Sequence, residues 1–293
     1  MERLSASLIL RIARPGGLVP VMLSAAGQDF PEPWEFIIVD SACVERRETT
    51  AELWRLLRPD VPLVHVPPLF PNPPRVQRHC WDIPLFMNTG WVWTRGEFCA
   101  HIEDYMVFRS SWLRTHIDFV KRYPNLVSIG HVMREPKFDD NAPGHYGRQR
   151  PEELLKDMPP DLMEKLNNPT SMGCVNHHKY TCWLSGNMAV KTQHVIDFGG
   201  VHEYPTHWPE TSTAKSFFNH GLSMWPLSGA DAWHLTHPTA GIIGNILRTD
   251  VYGNCEYEPV EQQEMHLIVG PERNLDEYKR DIVSERRSRG FWV

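Results

Sequence analysis

The sequence lacks the features that would assign the chain to a membrane or to the secreted proteins. It has no run of about 18 apolar residues, so no transmembrane helix is predicted. The start of the chain lacks the basic, apolar and small-residue regions of a signal peptide. The six cysteines are scattered without CxxC spacing, which is typical of reduced thiols and not of a disulfide framework. These absences predict a cytoplasmic protein.

Other missing signals narrow the range of functions. The formal net charge of −6 argues against a wholly basic nucleic-acid-binding protein, although a local basic patch stays open. The chain has no glycine-rich phosphate loop and no internal repeat. A zinc hydrolase built on the 15 histidines ranks low, because HExxH and paired Cys/His spacings are absent.

The apolar pattern of the first half predicts strands that alternate with helices. Strands are predicted at residues 4–12, 34–39, 62–66, 97–102 and 125–132, and helices at 18–26, 49–57, 75–92 and 110–120. This alternation favours a mostly parallel sheet with helices on both faces. Ligands bind such sheets beyond the carboxyl ends of the strands, where Asp40 and the Glu103-Asp104 pair are predicted to lie.

The second half is less regular. Residues 134–169 are polar and contain several prolines, so we predict an insertion or flap there. Core character returns at residues 182–190, followed by predicted helices at 191–198 and 211–220 and a strand at 222–235. The charged residues 274–289 predict a surface helix or tail.

The stretch from Met87 to Leu113 is the centre of the pattern. Its predicted strand delivers Glu103 and Asp104, and buried acids are costly unless something cationic meets them. A solvated turn is the alternative interpretation of these two residues, and the surrounding motifs decide between them.

Five motifs in order resemble the inverting nucleotide-sugar glycosyltransferases of the GT-A fold, the family 2 type. The first is the segment QDFPEPWEFIIVD, which ends at Asp40. The remaining motif positions are Asn88, Gly90, Gly96, Glu97 and Glu103-Asp104-Tyr105; Gly186, Asn187, Ala189, Gly199, Gly200 and Glu203; Pro209-Glu210-Thr211; and Trp233 to His237. The resemblance covers roughly residues 4–240.

The resemblance implies an α/β GT-A fold, with a mostly parallel mixed sheet flanked by helices in a single nucleotide-sugar-binding domain. Residues 1–133 would form the donor-binding half and residues 134–180 an insertion or flap. Residues 181–240 would form the acceptor and catalytic half of the same domain, and residues 241–293 a C-terminal extension.

For the donor, the resemblance implies a UDP-sugar or similar molecule bound with Mn²⁺ or Mg²⁺, which would stabilise the leaving diphosphate. Donor contacts would come from Asp40, Arg78, Glu103 and Asp104. The metal would be held by Asp104, with His234 and His237 as further ligands. Tyr105 departs from the pattern, because the family usually has a metal-binding aspartate at this position.

For catalysis, the resemblance implies that Glu210 is the general base that deprotonates the acceptor hydroxyl. An acid in a first helical turn can also be a simple cap, and this alternative stays open. Acceptor contacts would involve Trp208, Gly186 and Asn187, although Trp208 could equally serve packing.

The implied activity is that of a hexosyl- or pentosyltransferase whose acceptor is a glycan, a small molecule or a hydroxylated DNA base. Basic residues at Arg148, Arg150 and 279–289 could contact a nucleic-acid backbone, but acids are mixed into the last stretch. An alternative is a catalytically inactive sugar-nucleotide or glycan-binding module of the same fold. The oligomeric state is not predicted.

Overall fold

The computed structural model shows a mixed α/β fold built around one large sheet. The residues that it describes are 4–12, 18–40, 43–68, 83–134, 174–177, 180–183, 186–200, 213–214, 217–234, 245–249, 255–259, 284 and 286–289. None of the helices within these ranges is long and apolar enough to cross a membrane.

The strands are β1 (Leu4–Ile12), β2 (Trp34–Asp40), β3 (Leu63–Val66), β4 (Gly96–Glu103), β5 (Met106–Phe108), β6 (Leu126–Arg134), β7 (Cys174–His177), β8 (Tyr180–Trp183), β9 (Asn187–Lys191), β10 (Ser223–His234), β11 (Asn245–Thr249) and β12 (Cys255–Pro259). The helices with defined bounds are α1 (Leu18–Ala26), α2 (Cys43–Leu57), α3 (Ile83–Trp93), α4 (Trp112–Arg122) and α5 (Thr192–Phe198).

The main sheet has the strand order β3-β2-β1-β4-β9-β6-β10-β5, and β7 and β8 attach beside β6. Strands β3, β2, β1 and β4 are parallel, as are β6 and β10. Strand β9 runs antiparallel between β4 and β6, and β5 runs antiparallel to β10 at the edge. The fold class agrees with the sequence-based prediction.

The central strands β1 and β2 are buried along nearly their whole length because helices cover both faces of the sheet. Leu8 and Leu10 of β1 point into one buried cluster with α1 and α4, whereas Ile9 points into the other cluster with α3. Alternate residues of a strand point to opposite faces, so this single strand contributes to both halves of the core.

Several boundaries differ from the predictions. Helix α2 begins at Cys43, six residues before the predicted start. The apolar pattern missed its first turns because only Cys43, Thr50 and Trp54 are buried and most of the helix surface is polar. The short strand β5 and the hairpin of β11 and β12 were not predicted. Residues 135–173 of the insertion or flap predicted at 134–180, and residues 75–82 of the helix predicted at 75–92, lie outside the described residues.

A buried polar network around Asn187 joins β9 to its neighbours. The side-chain oxygen of Asn187 accepts hydrogen bonds from Trp112 Nε1 at 3.0 Å and His116 Nε2 at 2.9 Å. Its amide nitrogen donates to the carbonyls of His131 at 3.1 Å and Ala230 at 2.9 Å. Asn187 therefore ties β9 to α4, β6 and β10, and each hydrogen-bonding atom of its amide has protein partners.

This network predicts that stability depends on pH. Burial lowers the pKa of His116 from 6.5 to about 4. Because the unfolded chain takes up this proton near pH 6.5 and the folded protein does not, stability is full above pH 6.5. It falls as the pH drops from 6.5 towards 4, by up to about 1.4 kcal/mol per pH unit. Denaturant titrations at pH 7.5 and pH 5 measure the loss.

His116→Gln is the matched test of this pH dependence, because glutamine can still donate a hydrogen bond but does not titrate. In this variant the free energy of unfolding should fall less steeply as the pH drops from 6.5 towards 4. Burial also pushes the pKa of His101 well below its usual value, so some slope remains. His194, which bonds the Pro124 carbonyl at the surface, supplies the matched surface variant His194→Gln for comparison. An unchanged slope in His116→Gln would contradict the assignment.

Residue 284 and residues 286–289 are the described part of the surface helix or tail predicted at residues 274–289, and they are mostly helical but not wholly at the surface. Arg286 is fully buried and donates to the Trp91 carbonyl at the end of α3 at 2.7 Å. The guanidinium of Arg289 lies 3.5 Å from the centre of the Trp93 ring. Both arginines thus serve packing against α3, and a helix end attracts such cations.

Candidate functional site

The candidate site lies at the carboxyl ends of the parallel strands. Asp40 ends β2 and Glu103 ends β4, and the register pairs them with Ile12 and Arg11 of β1. His234 ends β10, which runs parallel to β6. The sheet therefore brings Asp40, Glu103 and His234 to the same edge, as the sequence predicts.

The turn after Glu103 has an unusual backbone. Tyr105 has φ of +60°, and it is the one non-glycine residue with positive φ in the described part of the chain. Such a conformation is costly for a bulky side chain and is often found at functional sites. The backbone N–H of Asp104 donates to the Arg11 carbonyl at 3.0 Å, which fixes the turn to the end of β1. Asp104 is 3% exposed.

Glu103 is the centre of a charged group of three side chains from different strands. Arg11 Nη2 donates to Glu103 Oε2 at 3.4 Å, and His234 Nε2 lies 3.9 Å from Glu103 Oε1. Glu103 is the most exposed of the three at 15%, compared with 4% for Arg11 and 10% for His234. The carboxylate therefore faces the strand ends, with Arg11 buried beside it.

A buried histidine lies next to this group. His101 is fully buried, its ring packs edge-on against Trp91 at 5.2 Å, and neither ring nitrogen has a hydrogen-bond partner. Burial, and to a lesser extent the charge of Arg11, holds its pKa well below the ordinary value. His101 is therefore neutral at physiological pH. It adds no charge beside the Arg11–Glu103 pair.

Asp40 is held by two cationic or potentially cationic partners. Arg46 Nη2 lies 3.1 Å from one carboxylate oxygen, and His65 Nε2 lies 3.0 Å from the other. Arg46 is in the first turns of α2 and His65 is in β3. Asp40 is fully buried in this arrangement, so its carboxylate has a fixed orientation at the end of β2.

Gly186 lies against the Glu103 carboxylate. A Cβ atom at this position would lie 3.2 Å from Glu103 Cδ and 3.3 Å from Met106 Cε, so a side chain there would crowd the acid. Asn187, the next residue, directs its amide into the core network instead. This geometry favours a structural role for Asn187 over the predicted acceptor contact.

Four predicted site residues lie outside the described residues: Arg78, Trp208, Glu210 and His237. The chain close to Glu210 is nevertheless fixed at Thr213, whose hydroxyl lies 4.0 Å from the Met87 sulfur of α3. Ala214 packs into the apolar cluster on the same face. The roles of these four residues stay predictions.

The predicted metal site lacks a set of three protein ligands among the described residues. Among the described residues, no three His, Cys, Asp or Glu side chains group as metal ligands, so Glu103, Asp104 and His234 do not form such a set. Tyr105 occupies the position of a third acid, and Arg11 already places a positive charge on Glu103. The described side chains alone therefore supply no three-ligand set, and His237, the third predicted ligand, lies outside the described residues.

Sequence reasoning missed the residues that hold the acids in place. Arg11 belongs to none of the five motifs, although a charged residue inside the apolar run LILRI is itself a signal. Arg46 and His65 come from a helix and a strand that gave no motif. A further buried pair, His131 Nδ1 and Asp231 Oδ1 at 3.2 Å, joins β6 to β10 and was also not predicted.

Comparison with known sequences gives no relative for the chain. No protein-family model matches it, and no curated protein matches it significantly.

Solved structures match the fold. S. aureus TarS 1–349 has a TM-score of 0.51 at 15% identity, over 79% of this chain and 60% of that chain. The same TarS fragment in complex with UDP has a TM-score of 0.50 at 15% identity, over 80% of this chain and 61% of that chain.

The mannosyltransferase PcManGT from Pyrobaculum calidifontis, in complex with GDP-Man and Mn²⁺, has a TM-score of 0.50 at 14% identity. This match covers 80% of this chain and 57% of that chain. The chain thus spans about 60% of the length of the structures that it matches. At these identities the likeness establishes a fold shared with glycosyltransferases.

Proposed function

We propose that the protein is a glycosyltransferase that moves a sugar from a nucleotide-sugar donor to a hydroxyl acceptor. The observation that carries the proposal is the position of Asp40 and Glu103 at the carboxyl ends of β2 and β4, in a fold shared with glycosyltransferases. Open α/β sheets bind nucleotides at this edge. Similar structures hold UDP or GDP-Man, and a UDP-sugar is our preferred donor.

In this proposal Asp40 accepts a hydrogen bond from the nucleotide base or ribose. The carboxylate is suited to this role because Arg46 and His65 fix its orientation. Glu103, the more exposed acid, faces the ribose and diphosphate part of the donor, with Asp104 and Arg78 as further proposed contacts.

The proposed mechanism is inversion at the sugar carbon C1. Glu210 would remove the acceptor hydroxyl proton while the oxygen attacks C1 from the face opposite the nucleotide. Trp208, two residues before Glu210, would offer an aromatic surface to the acceptor.

The acceptor stays open among a glycan, a small molecule and a hydroxylated DNA base. The hypothesis of a DNA acceptor loses part of its support. Two of the basic residues that could contact a DNA backbone, Arg286 and Arg289, pack against α3 instead.

Donor hydrolysis tests the proposal without knowledge of the acceptor. Purified protein is incubated with UDP-glucose, UDP-N-acetylglucosamine and GDP-mannose, with EDTA or with Mn²⁺, and release of the nucleoside diphosphate is measured. Release from one donor above the no-enzyme rate supports an active transferase. The second candidate is an inactive binding module, which Tyr105 in place of an acid favours, and it predicts donor binding without release.

A further inference from the structure

We propose that Arg11 is a positioning residue that supplies, from within the protein, the positive charge that balances Glu103, so that the donor binds without a divalent metal ion. The inference rests on the proposed function, because it concerns the diphosphate-binding corner of that site. The observation behind it is the contact of Arg11 with Glu103 in the described part of the chain.

First, the diphosphate-binding corner, formed by Arg11, Glu103 and Asp104, carries little net charge. The family pattern has three adjacent acids, and here the third is Tyr105. Arg11 offsets the charge of Glu103 through the contact at 3.4 Å. Arg11, Glu103 and Asp104 together carry one net negative charge, where the two acids alone would carry two. A diphosphate therefore meets much less repulsion, and repulsion by acids is one need that a metal ion answers.

The second step is the location of the guanidinium. Arg11 is 4% exposed and lies at the carboxyl end of β1, beside the end of β4. A charge in such a place is screened less by water and salt than a surface charge. Arg11 thus acts on Glu103 and on the corner through a fixed position, and does not need to touch the donor.

The third step is the competition for Glu103. A divalent ion on Glu103 would place a second positive group on a carboxylate that already holds Arg11, and the two would repel each other. Without Arg11, Glu103 and His234, 3.9 Å apart, would be a carboxylate and an imidazole able to attract Mn²⁺. The presence of Arg11 on Glu103 therefore disfavours metal binding at this carboxylate.

The test measures donor binding by isothermal titration calorimetry, with the donor that binds best, in EDTA and in Mn²⁺. We expect the wild-type Kd to agree within about threefold between the two conditions. In Arg11→Met, binding in EDTA should weaken by about tenfold and Mn²⁺ should restore it, as typical of residues that support a site indirectly. Arg11→Lys should keep binding in EDTA, because it keeps the charge.

A second readout does not involve the donor. Mn²⁺ titration followed by electron paramagnetic resonance should show a bound ion in Arg11→Met that is absent from the wild type and from the double variant Arg11→Met/Glu103→Gln. The double variant also keeps the proposal testable if Arg11→Met does not fold, because it buries no unpaired carboxylate. Without the Glu103 carboxylate that Arg11 balances, it should bind donor equally in EDTA and Mn²⁺.

The chain offers a matched control at the other end of the same strands. Arg95 Nε lies 2.6 Å from Glu35 Oε2, and Glu35 lies opposite Ser7, about 13 Å along β1 from Arg11. Arg95→Met also breaks an arginine–glutamate pair, but it should leave the ratio of Kd in EDTA and Mn²⁺ unchanged. A purely structural role for Arg11 would make the two variants behave alike.

Two results would overturn the inference. One is a wild-type Kd that weakens at least tenfold in EDTA, which would leave the proposed function standing and place a metal in the site. The other is an Arg11→Met variant whose binding responds to Mn²⁺ no more than the wild type does. Absence of binding by every donor in both conditions would instead reject the proposed function, and the inference with it.

Discussion

Glu210→Gln should lower the rate of sugar transfer or donor hydrolysis by about a thousandfold and leave the donor Kd within about twofold of wild type. The reason is that glutamine keeps the size of the side chain but cannot accept the proton of the attacking hydroxyl. The measurement combines steady-state rates with donor titration calorimetry, because only a catalytic role separates the two quantities.

The control for Glu210 is an acid in a first helical turn that has no expected role in chemistry. Glu45, exposed in the first turn of α2, fits this description. Glu45→Gln should change the rate by less than about twofold, since a helix-end charge is worth a fraction of a kcal/mol. If Glu210→Gln behaves like Glu45→Gln, then Glu210 is a helix cap and another group must be the base.

Asn187→Ala should destabilise the fold by about 4 kcal/mol, the largest effect that we expect from one core residue. The substitution leaves Trp112 Nε1, His116 Nε2 and the carbonyls of His131 and Ala230 without their partner in a buried region. Each unsatisfied buried group costs about 1–3 kcal/mol, part of which relaxation recovers. Urea denaturation measures the free energy of unfolding.

A surface amide gives the comparison for Asn187. Gln193 donates to Asp197 at 2.9 Å on the exposed side of α5. Gln193→Ala should change the free energy of unfolding by less than about 0.5 kcal/mol. A similarly small loss in Asn187→Ala would show that the network contributes little to stability, and would reopen the predicted acceptor role of Asn187.

The fold could be predicted well wherever the sequence carried a continuous apolar run. The bounds of β1 and α1 agree residue for residue with the predictions, because strands buried on both faces read as apolar runs that Pro15 and Gly16 interrupt. Strand β5 could not be found in this way. It has only three residues, and it exists because β10, more than a hundred residues later, pairs with it.

The candidate site also has features that the sequence predicts and features that only the structure shows. Asp40 and Glu103 could be placed at one edge because parallel strands align their carboxyl ends. The contacts of Arg11, Arg46 and His65 with these acids could not be predicted, since they depend on strand register and on where α2 begins. The metal prediction followed from a motif, whereas the balance of charges around Glu103 is visible only in three dimensions.

The most direct test of the central claim is a thermal-shift panel of nucleoside diphosphates and nucleotide sugars, in EDTA and in Mn²⁺. Uridine, guanosine, adenosine and cytidine compounds are compared, with pyrophosphate as a control for simple anion binding. Ligand at a hundredfold excess over Kd adds about 2.7 kcal/mol of stability, which corresponds to several degrees in Tm. The account predicts such a rise for uridine or guanosine compounds in both conditions, and a flat panel would contradict it.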